Sequence, residues 1–471
     1  LRFKYSLIKT QRMARITCSI INVFLIYIFT SSVSASSKYD DIIELCYHYL
    51  ETNLCEGEKW GLSYHFYRPS QEKYSPDQWL WDSGSHMIVW SHKNVSNSVA
   101  DLRTMLQMQQ EDGRIPEEIF WSDRSELEEI ELLLMYSNTK FTDITQMPVL
   151  PYSLRAIYAA SKDKSVLSEF LYPLVRYFHW WRNTRDSGDG LVTAIHNWET
   201  GLDASPAYDP AYHVYITDVN ATSKHQLYPK FIEVVESYKF LYHWNVTEIM
   251  ARETAPSRPE RIDTWFKVKD LALNCIYAAG WRVLADLALE LGDTETHMDC
   301  KYQADMSSSA IHQLMWNDDQ EGYQTVYTDW DGVDRLSSAN TIQNLFPLLL
   351  LDTPRERLDL ILAQLKDPLK FNSPFSVPTV ALDDPQFCPT FEADLMWRGP
   401  VWGFTNWFIL EGLGIHGELE LQESILNKWV DLVRLSGIYE MYNPLTGEPY
   451  GSEGLGMSTL VCDWIYRYGW N

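Results

Sequence analysis

The 471-residue sequence has little basic charge, with 39 Lys and Arg residues against 64 Asp and Glu residues and a formal net charge of −25. It contains no block rich in Lys or Arg. Because phosphate binding needs a basic surface, no nucleic-acid partner is expected. No segment reaches the roughly 18 consecutive apolar residues of a membrane-spanning helix, so no stable membrane span is expected either.

Several familiar catalytic and metal-binding motifs are missing. The sequence has no C-x-x-C, no H-E-x-x-H, no G-x-S-x-G and no Walker A motif, which disfavours zinc, phosphate and serine-hydrolase sites. Residues 412–417 match G-x-G-x-x-G, but the preceding residues 406–410 have a helical rather than a strand pattern. We therefore interpret this segment as a helix-ending turn, and no metal or cofactor is expected.

The residues that are present indicate a large globular protein. The chain is 45% hydrophobic and 22% charged, which excludes disorder, collagen and coiled coil. Aromatic residues make up 14%, with 19 Trp and 28 Tyr. Their flat faces suit sugar rings, although composition alone favours the simpler role of filling the core. No low-complexity linker divides residues 36–471, so we predict a single domain.

The N-terminal region has the pattern of a signal peptide. Met13 is a better start than Leu1, Arg15 supplies a positive charge, and the apolar run 16–30 is followed by the small-x-small site at 33–35. We predict that residues 1–35 are a signal peptide with an upstream extension. The mature chain would then be secreted, or held in the lumen of the secretory pathway or of a lysosome-like compartment.

Glycosylation and disulfide candidates agree with that compartment. N-x-[ST] sequons occur at Asn94, Asn220 and Asn245, each weak evidence by itself. Six Cys remain after the signal, and Cys46 and Cys55 are near enough in sequence to pair in an oxidising compartment. The alternative is that both are buried free thiols.

Helical periodicity dominates the rest of the chain. It is clearest over 269–291, where apolar residues share one face and Gly292 ends the helix. Further helices are predicted at 37–52, 97–110, 126–137, 149–162, 164–184, 229–243, 295–315, 340–351, 354–366, 402–413, 419–436 and 454–467. Strand-like alternation is short, as at 322–327.

Long connections at 54–96, 187–227 and 367–401 are rich in Trp, Pro, Gly and acidic residues. Helices that form a scaffold while loops carry the chemistry are typical of an α/α toroid. We therefore predict an all-α protein. A helical solenoid is the alternative, but no repeat of 34 or 40 residues supports it.

Four loop segments combine carboxylates with Trp, Gly and amide groups: 79–86, 197–206, 396–402 and 439–448. Glycoside hydrolysis needs two carboxyl groups, one protonated and one ionised, on either side of the scissile bond. A carboxyl group among Trp rings has its charged form disfavoured and can act as an acid. Asp203 and Glu440 are the candidates, and solvated surface charges are the alternative for each.

These segments together resemble the clan of (α/α)6-barrel glycoside hydrolases that includes glycoside hydrolase family 63. Within it they are most similar to the mannosylglycerate and glucosylglycerate hydrolases. W-x-W-D corresponds to 79–82, W-E-S/T-G-x-D-x-S-P to 198–206, W-R-G-P-V-W to 397–402, and Y-E-x-Y-x-P-x-T-G-E to 439–448. The resemblance covers about residues 75–468.

The resemblance implies an (α/α)6 toroid with an inverting mechanism, in which Asp203 is the acid and Glu440 the base. Asp82 would bind sugar hydroxyls in the −1 subsite. The other residues that the motifs place around the sugar are Trp79, Trp81, Gln146, Trp198, Gly201, Trp397 and Trp402. Each Trp has core filling as its alternative role. For Arg398 we expect an ion pair with a buried carboxylate rather than a contact with substrate.

The sequence also departs from this family. Leu80 stands where the first motif usually has a polar residue. Bacterial members are cytosolic, whereas this chain is predicted to be secreted. Residues 207–262 form a long segment in the region that helps members recognise the aglycone, so the resemblance does not carry over glycerate as the aglycone of this protein's substrate. We predict a secreted hydrolase of α-linked glucosyl or mannosyl residues. The alternatives are a trehalase-like or oligosaccharide-processing α-glucosidase, and a catalytically silent carbohydrate-binding protein.

Overall fold

A computed structural model describes residues 38–136, 138–211, 266–329, 331–390 and 396–468. These ranges are mostly α-helical. Their helices are α1 (Asp40–Thr52), α2 (Leu80–Lys93), α3 (Val95–Leu106), α4 (Glu126–Tyr136), α5 (Leu150–Ser161), α6 (Lys164–Arg185), α7 (Asn197–Thr200), α8 (Leu271–Leu291), α9 (Thr294–Leu314), α10 (Arg355–Lys366), α11 (Gly403–His416), α12 (Leu419–Ser436) and α13 (Val461–Tyr468). Short 3-10 helices occur at Pro206–Tyr208, Ile342–Leu349 and Gly456–Leu460.

The strands in these ranges are short and antiparallel. They are β1 (Leu54–Lys59), β2 (Leu62–Tyr67), β3 (Gln78–Trp79), β4 (Glu118–Ile119), β5 (Val268–Lys269), β6 (Trp316–Asn317), β7 (Gly322–Tyr323), β8 (Val326–Thr328), β9 (Asp334–Leu336), β10 (Tyr439–Tyr442) and β11 (Pro449–Glu453). β3 pairs with β4, so that Trp79 lies opposite Glu118, and β10 pairs with β11. The strands connect helices and do not form a layer of their own.

The helices divide into buried and half-exposed sets. α2, α8 and α11 bury residues around most of their circumference. α3, α9 and α12 bury only one face. A helix that is apolar all round belongs inside a protein, whereas an amphipathic helix covers the outside. Each buried helix contacts the amphipathic helix that follows it in sequence.

Contacts between the buried segments run in a closed circuit. α2 contacts α5, α5 contacts α8, and α8 contacts the 342–349 helix. That helix contacts α11, α11 contacts the 456–460 helix, and the latter returns to α2. The outer partners of these six segments are, in the same order, α3, α6, α9, α10, α12 and α1.

Most of the predicted helices are present in the described ranges. α8 begins at Leu271 and ends at Leu291, and Gly292 follows with φ +92°, donating its N–H to Ala288 O at 3.1 Å. The predicted segments 340–351 and 454–467 contain 3-10 helix, in the second case before α13. The predicted helix 229–243 lies outside the described residues.

The prediction of a long connection over 54–96 is wrong. This segment contains the β1–β2 hairpin and α2. α2 lacks the periodicity of a surface helix because 12 of its 14 residues are buried. Gly84 lowers helix propensity but is needed, since an added Cβ would lie 2.6 Å from Val149 Cγ2. The interpretation of 412–417 as the end of a helix is confirmed, although α11 continues through Gly412 and Gly414 to His416, three residues beyond the predicted end, and is capped by Gly417.

The predicted Cys46–Cys55 pair is also wrong. Cys46 is bonded to Cys462, 416 positions away, and so joins α1 to α13. Cys46 is fully buried on the face of α1 that meets α13, whereas Cys55 lies on β1 and its thiol contacts Asn53 O at 3.6 Å. Cys55 is a free thiol and half-buried, unlike either alternative.

The structure describes only part of what the sequence predicts for glycosylation and secretion. Asn94 is exposed at the start of α3, while Asn220 and Asn245 lie outside the described residues. The predicted signal peptide, residues 1–35, also lies outside them. Within the described ranges, no helix combines the length and apolar character needed to cross a membrane.

Candidate active site

The four predicted segments meet at one cavity of about 290 Å³. It contains all ten residues that the sequence motifs place at the site. Its lining consists of Tyr74, Trp79, Trp81, Asp82, Glu117, Glu118, Tyr136, Gln146, Trp198, Gly201, Asp203, Met396, Trp397, Trp402, Glu440, Leu455 and Met457. The cavity therefore joins residues that are up to 383 positions apart (457 − 74).

Asp82 is held in the first turn of α2, which begins directly after β3. Leu80 N–H donates to Glu117 O at 2.9 Å, and Trp81 N–H donates to Gln146 Oε1 at 3.2 Å. These bonds satisfy two of the N–H groups that a helix start leaves without intrahelical partners. Burial, with the charge of Glu440 second, raises the pKa of Asp82 to about 8.

Asp203 follows the single turn of α7, which Gly201 ends with φ +64°. Glycine is needed at this position for two reasons: the backbone is left-handed, and the ring of Trp81 lies where a Cβ would be. Asn197 Nδ2 donates to Asp203 O at 3.3 Å and fixes the loop. Burial is the main cause that raises the pKa of the Asp203 carboxyl group to about 7.

Glu440 lies on β10 and has a buried side chain. Its Oε1 accepts a hydrogen bond from Tyr74 OH at 3.0 Å, and its Oε2 accepts one from Ser452 N–H at 2.9 Å. Lys73 Nζ lies 3.3 Å from Oε1 and 3.2 Å from Oε2. Gly451, with φ +73°, allows β11 to approach this carboxylate, because a side chain there would collide with it.

Three Trp rings form one wall of the cavity. Trp397 and Trp402 stack with centroids 4.1 Å apart and an interplanar angle of 11°, and Trp81 lies 6.3 Å from Trp397. Trp402 Nε1 donates to Met396 O at 2.9 Å. All three rings are buried and also belong to the main core. Core filling and cavity lining are therefore not alternatives here, because the same rings do both.

The remaining predicted residues lie where the motifs indicate. Gln146 is buried, while Trp79 and Trp198 are half-buried at the rim. Arg398 is outside the cavity, where its guanidinium group makes two hydrogen bonds to the buried carboxylate of Asp209, one of them at 2.9 Å from Nη1 to Oδ2. It also donates to Gln386 Oε1 at 3.1 Å, so the ion pair expected for Arg398 is present.

Two other acidic residues near the motifs are bound elsewhere. Glu199 is fully buried and accepts from Arg185 Nη2 at 2.9 Å and from Ile195 N–H at 2.9 Å. Glu453 accepts from Tyr49 OH at 2.5 Å. Neither lines the cavity, so both hold the structure around the site and are not candidates for acid or base.

Sequence reasoning missed Glu117 and Glu118. Burial, followed by the charge of Glu118, raises the pKa of Glu117 well above its usual range. Burial, followed by the charge of Asp77, does the same to Glu118. Both lie outside the four motif segments 79–86, 197–206, 396–402 and 439–448, which is why they were missed. Lys73 and Tyr74 were missed because they precede the first motif.

The charges of the cavity are strongly one-sided. Five carboxyl side chains line it: Asp82, Glu117, Glu118, Asp203 and Glu440. No Lys, Arg or His side chain is among the described lining residues, and Lys73 reaches Glu440 from the adjoining cleft. In the described ranges no three His, Cys, Asp or Glu side chains are arranged to hold a metal ion. Paired carboxyls with a wall of Trp rings form a site suited to glycoside hydrolysis.

Comparison with known proteins gives the class of this protein. The family model for the mannosylglycerate hydrolase MGH1-like glycoside hydrolase domain matches residues 75–458. The chain belongs to this family and is a glycoside hydrolase. Its resemblance to family 63 and to the mannosylglycerate and glucosylglycerate hydrolases is thereby confirmed.

Individual relatives are distant but matched over most of their length. Mannosylglycerate hydrolase MGH1 of Selaginella moellendorffii is 28% identical over 421 residues, which cover 83% of this chain and 80% of the relative. Glucosylglycerate hydrolase of Mycolicibacterium hassiacum is 24% identical over 440 residues, which cover 83% of this chain and 92% of the relative. The GH63 mannosylglycerate hydrolase of Thermus thermophilus, in complex with Tris, superposes with a TM-score of 0.72 at 22% identity, covering 90% of this chain and 100% of that chain. The structural likeness shows a shared fold.

Proposed function

We propose that this protein hydrolyses the α-glycosidic bond of a glucosyl or mannosyl residue with inversion of the anomeric configuration. In this reaction Asp203 donates a proton to the departing glycosidic oxygen. Glu440 takes a proton from a water molecule that attacks the anomeric carbon from the opposite face. The bond from carbon to the leaving oxygen breaks as the new bond to water oxygen forms.

The observation that carries this proposal is the difference between the two carboxyl groups. Asp203 is half-buried, and its pKa of about 7 leaves a large fraction protonated near neutral pH. Glu440, in contrast, accepts hydrogen bonds from Tyr74 OH and from the Ser452 N–H, and it contacts the Lys73 ammonium group. Two carboxyls in one cavity with unlike surroundings suit one acid and one base.

We further propose that the helices form an (α/α)6 toroid. The closed circuit of six buried segments, each with an outer helix, supports this arrangement. In this toroid the six buried segments form an inner ring. The site then lies at the start of α2, at the start of α11 and in the loop around α7. Trp198, Trp397 and Trp402 would contact the sugar, and Asp82 and Gln146 would bind its hydroxyl groups.

Secretion is part of the proposal. It rests on the signal-like segment from Met13 to Ala35 and is supported by the Cys46–Cys462 disulfide, because such bonds persist in oxidising compartments. The exposed position of Asn94 agrees with glycan attachment. Expression in a eukaryotic host should give a product that begins near Ser36 and gains mobility on deglycosylation. Recovery of an uncleaved, unglycosylated protein in the cytosol would contradict this part.

The test of activity is a substrate screen with the anomer as readout. Mannosylglycerate, glucosylglycerate, trehalose and 4-nitrophenyl α-glucoside would be incubated with the protein, and the first sugar released would be followed by proton NMR. We expect the β-anomer to appear first from mannosylglycerate, glucosylglycerate and 4-nitrophenyl α-glucoside. From trehalose we expect equal amounts of the α- and β-anomers, because the departing glucose keeps its α configuration. Initial release of the α-anomer alone from any of these substrates would indicate retention and contradict the mechanism.

The same screen separates the alternatives. Preference for trehalose would favour the trehalase-like enzyme, and preference for mannosyl or glucosyl glycerate would favour the activity named for its relatives. Saturable sugar binding without turnover of any substrate would indicate the catalytically silent binding protein. That last result would overturn the proposed reaction.

A further inference from the structure

Lys73 is a cation that reaches a carboxyl group of the cavity. It lies between β2 and β3 and lines the cleft beside the cavity together with Tyr74, Trp79 and Glu118. Its Nζ contacts both oxygens of Glu440, at 3.2 and 3.3 Å. Its side chain is 44% exposed, whereas that of Glu440 is 2% exposed. The ammonium group therefore extends from solvent to the buried carboxylate of Glu440.

We propose that Lys73 is a positioning residue that assigns negative charge to Glu440 rather than to the other carboxyls of the cavity, and so fixes which one removes the proton from water. The inference rests on the proposed function, because it requires Glu440 to be the base. The contact with Lys73 gives a physical reason why Glu440 is the base and Asp203 the acid, which the matched motifs do not supply. Lys73 itself acts through Glu440 and does not contact the reacting carbon.

The groups that face Glu440 support this role. From the segment before β3 they are Lys73 and Tyr74, from α2 Asp82, and from the loop after α7 Asp203. The charge of Glu440 contributes to the raised pKa values of Asp82, Asp203 and Tyr74. Like charges in one cavity oppose one another's ionisation, so a cation in contact with one carboxyl favours the charge on that carboxyl. The charge of Lys73 also opposes the rise in the pKa of Asp203, but its contacts at hydrogen-bond distance are with Glu440.

Two acidic residues on the neighbouring elements are bound away from Glu440. Glu453 on β11 accepts from Tyr49, and Glu72, next to Lys73, accepts from Glu453 N–H at 2.9 Å. Neither competes for the ammonium group of Lys73.

The geometry also constrains the attacking water. A carboxylate offers about four lone-pair sites, and Glu440 has four donor contacts, two of them from Lys73. The water must therefore share an oxygen with Lys73 or displace one of its contacts. The exposed, flexible Lys stem can yield in a way that the backbone N–H of Ser452 cannot.

The experiment compares Lys73→Met, Lys73→Arg and the wild type on a substrate from the screen. Measured from pH 4 to 9, the acidic limb of the kcat/KM profile of Lys73→Met should move to higher pH by about one unit. This is the lower end of the effect of a close opposite charge, because Lys73 is partly exposed. At the most acidic pH values of that limb, kcat/KM of Lys73→Met should be about tenfold lower than that of the wild type. The profile of Lys73→Arg should match that of the wild type.

A matched control excludes a general effect of losing a lysine. Lys93→Met removes a Lys of similar exposure, 48%, from a surface pair with Glu51 at 3.0 Å. Its profile and melting temperature should equal those of the wild type. If Lys73→Met changed only the melting temperature and left the limb in place, Lys73 would be structural and the inference would be wrong.

A second measurement does not depend on turnover. Tris is a small cationic amine and is bound in one of the similar structures. In a Tris-free buffer, calorimetry should show that Tris binds Lys73→Met about tenfold more tightly than it binds wild type, because the repelling ammonium group is gone. Equal affinities would overturn the inference.

Glu440→Gln in the same series separates the two levels of failure. An inactive Glu440→Gln with an unshifted Lys73→Met profile would overturn the role of Lys73 alone. Wild-type turnover in Glu440→Gln would overturn the proposed base, and the role of Lys73 with it.

Discussion

Two regions of this molecule bury carboxylates in opposite ways. In the cavity, five carboxyls line one space, and Lys73 supplies a cationic contact to one of them. Between α2, α5, α11 and α13, a network defined by His92, Arg155, Glu411, Asp463 and Arg467 pairs each carboxylate with two basic side chains. Glu411 is paired with Arg155 at 2.8 Å and with Arg467, and Asp463 with His92 at 2.8 Å and with Arg467 at 3.2 Å.

The pKa values follow this difference. Burial would raise the pKa of Asp463, but Arg467, His92 and the Trp407 indole N–H outweigh it and bring it to about 2. Burial would likewise raise the pKa of Glu411, and Arg155 with Arg467 lowers it instead. In the cavity burial prevails, and Asp82 and Asp203 reach about 8 and about 7. Burial alone thus does not distinguish a structural carboxylate from one in the candidate active site. The number of basic side chains that pair with the carboxylate does.

The largest expected effect is on catalysis. Asp203→Asn and Glu440→Gln keep the shape of each side chain and remove its ability to transfer a proton. Each should lower turnover by about 10²–10⁴-fold, while the melting temperature barely falls or rises. Turnover and melting should be measured on the same preparations. Loss of activity that tracks a lowered melting temperature would contradict the catalytic assignment.

A second test removes the shared cation of the network. Arg467→Met leaves Glu411 and Asp463 each with one cation fewer, and a broken buried pair typically costs about 3–5 kcal/mol. Urea unfolding should show a loss of that order, with kcat of the folded protein retained. Arg103→Met is the matched control, because its pair with Glu169 is 52% and 41% exposed, and such pairs contribute about 0–1 kcal/mol. Equal losses in both variants would contradict the contrast.

The smallest effects concern pH and stability, and they have opposite signs in the two regions. Asp82 has a folded-state pKa of about 8, above its unfolded value of about 4. Between those values the unfolded chain loses this proton while the folded chain keeps it, so rising pH costs stability. Asp82→Asn removes that cost. Its melting temperature should exceed that of wild type by a few degrees at pH 8 and match it near pH 4.

Asp463 should behave in the reverse way. Its folded-state pKa of about 2 is below the unfolded value of about 4, so it contributes stability above pH 4 that is lost as the pH falls towards 2. Asp463→Asn should therefore melt lower than wild type at pH 7, with the difference shrinking below pH 4. Scanning calorimetry across this range measures both variants. A difference that is constant with pH would indicate that packing, not ionisation, causes the change.

The sequence predicted which residues meet at the cavity better than it predicted the helices that hold them. Asp203 and Glu440 stand in short aromatic motifs, and local sequence carries that information. Lys73 and Glu117 reach the cavity only through contacts across the fold, Lys73 with a residue 367 positions away. α2 was missed because burial on all sides removes the periodicity by which a surface helix is recognised. The partner of Cys46 was missed because nearness in sequence is a poor guide when the first and last described helices pack together.

The bond between Cys46 and Cys462 gives the covalent chain the topology of a ring. The backbone from residue 46 to residue 462 and the bond itself form one closed path, so a single break in the backbone between these two residues leaves every atom of the protein still connected. A protease that cuts once between them would yield a nicked protein with an unchanged mass apart from one added water. The two pieces would separate on a denaturing gel only after reduction, and a second cut would be needed to release a fragment without it.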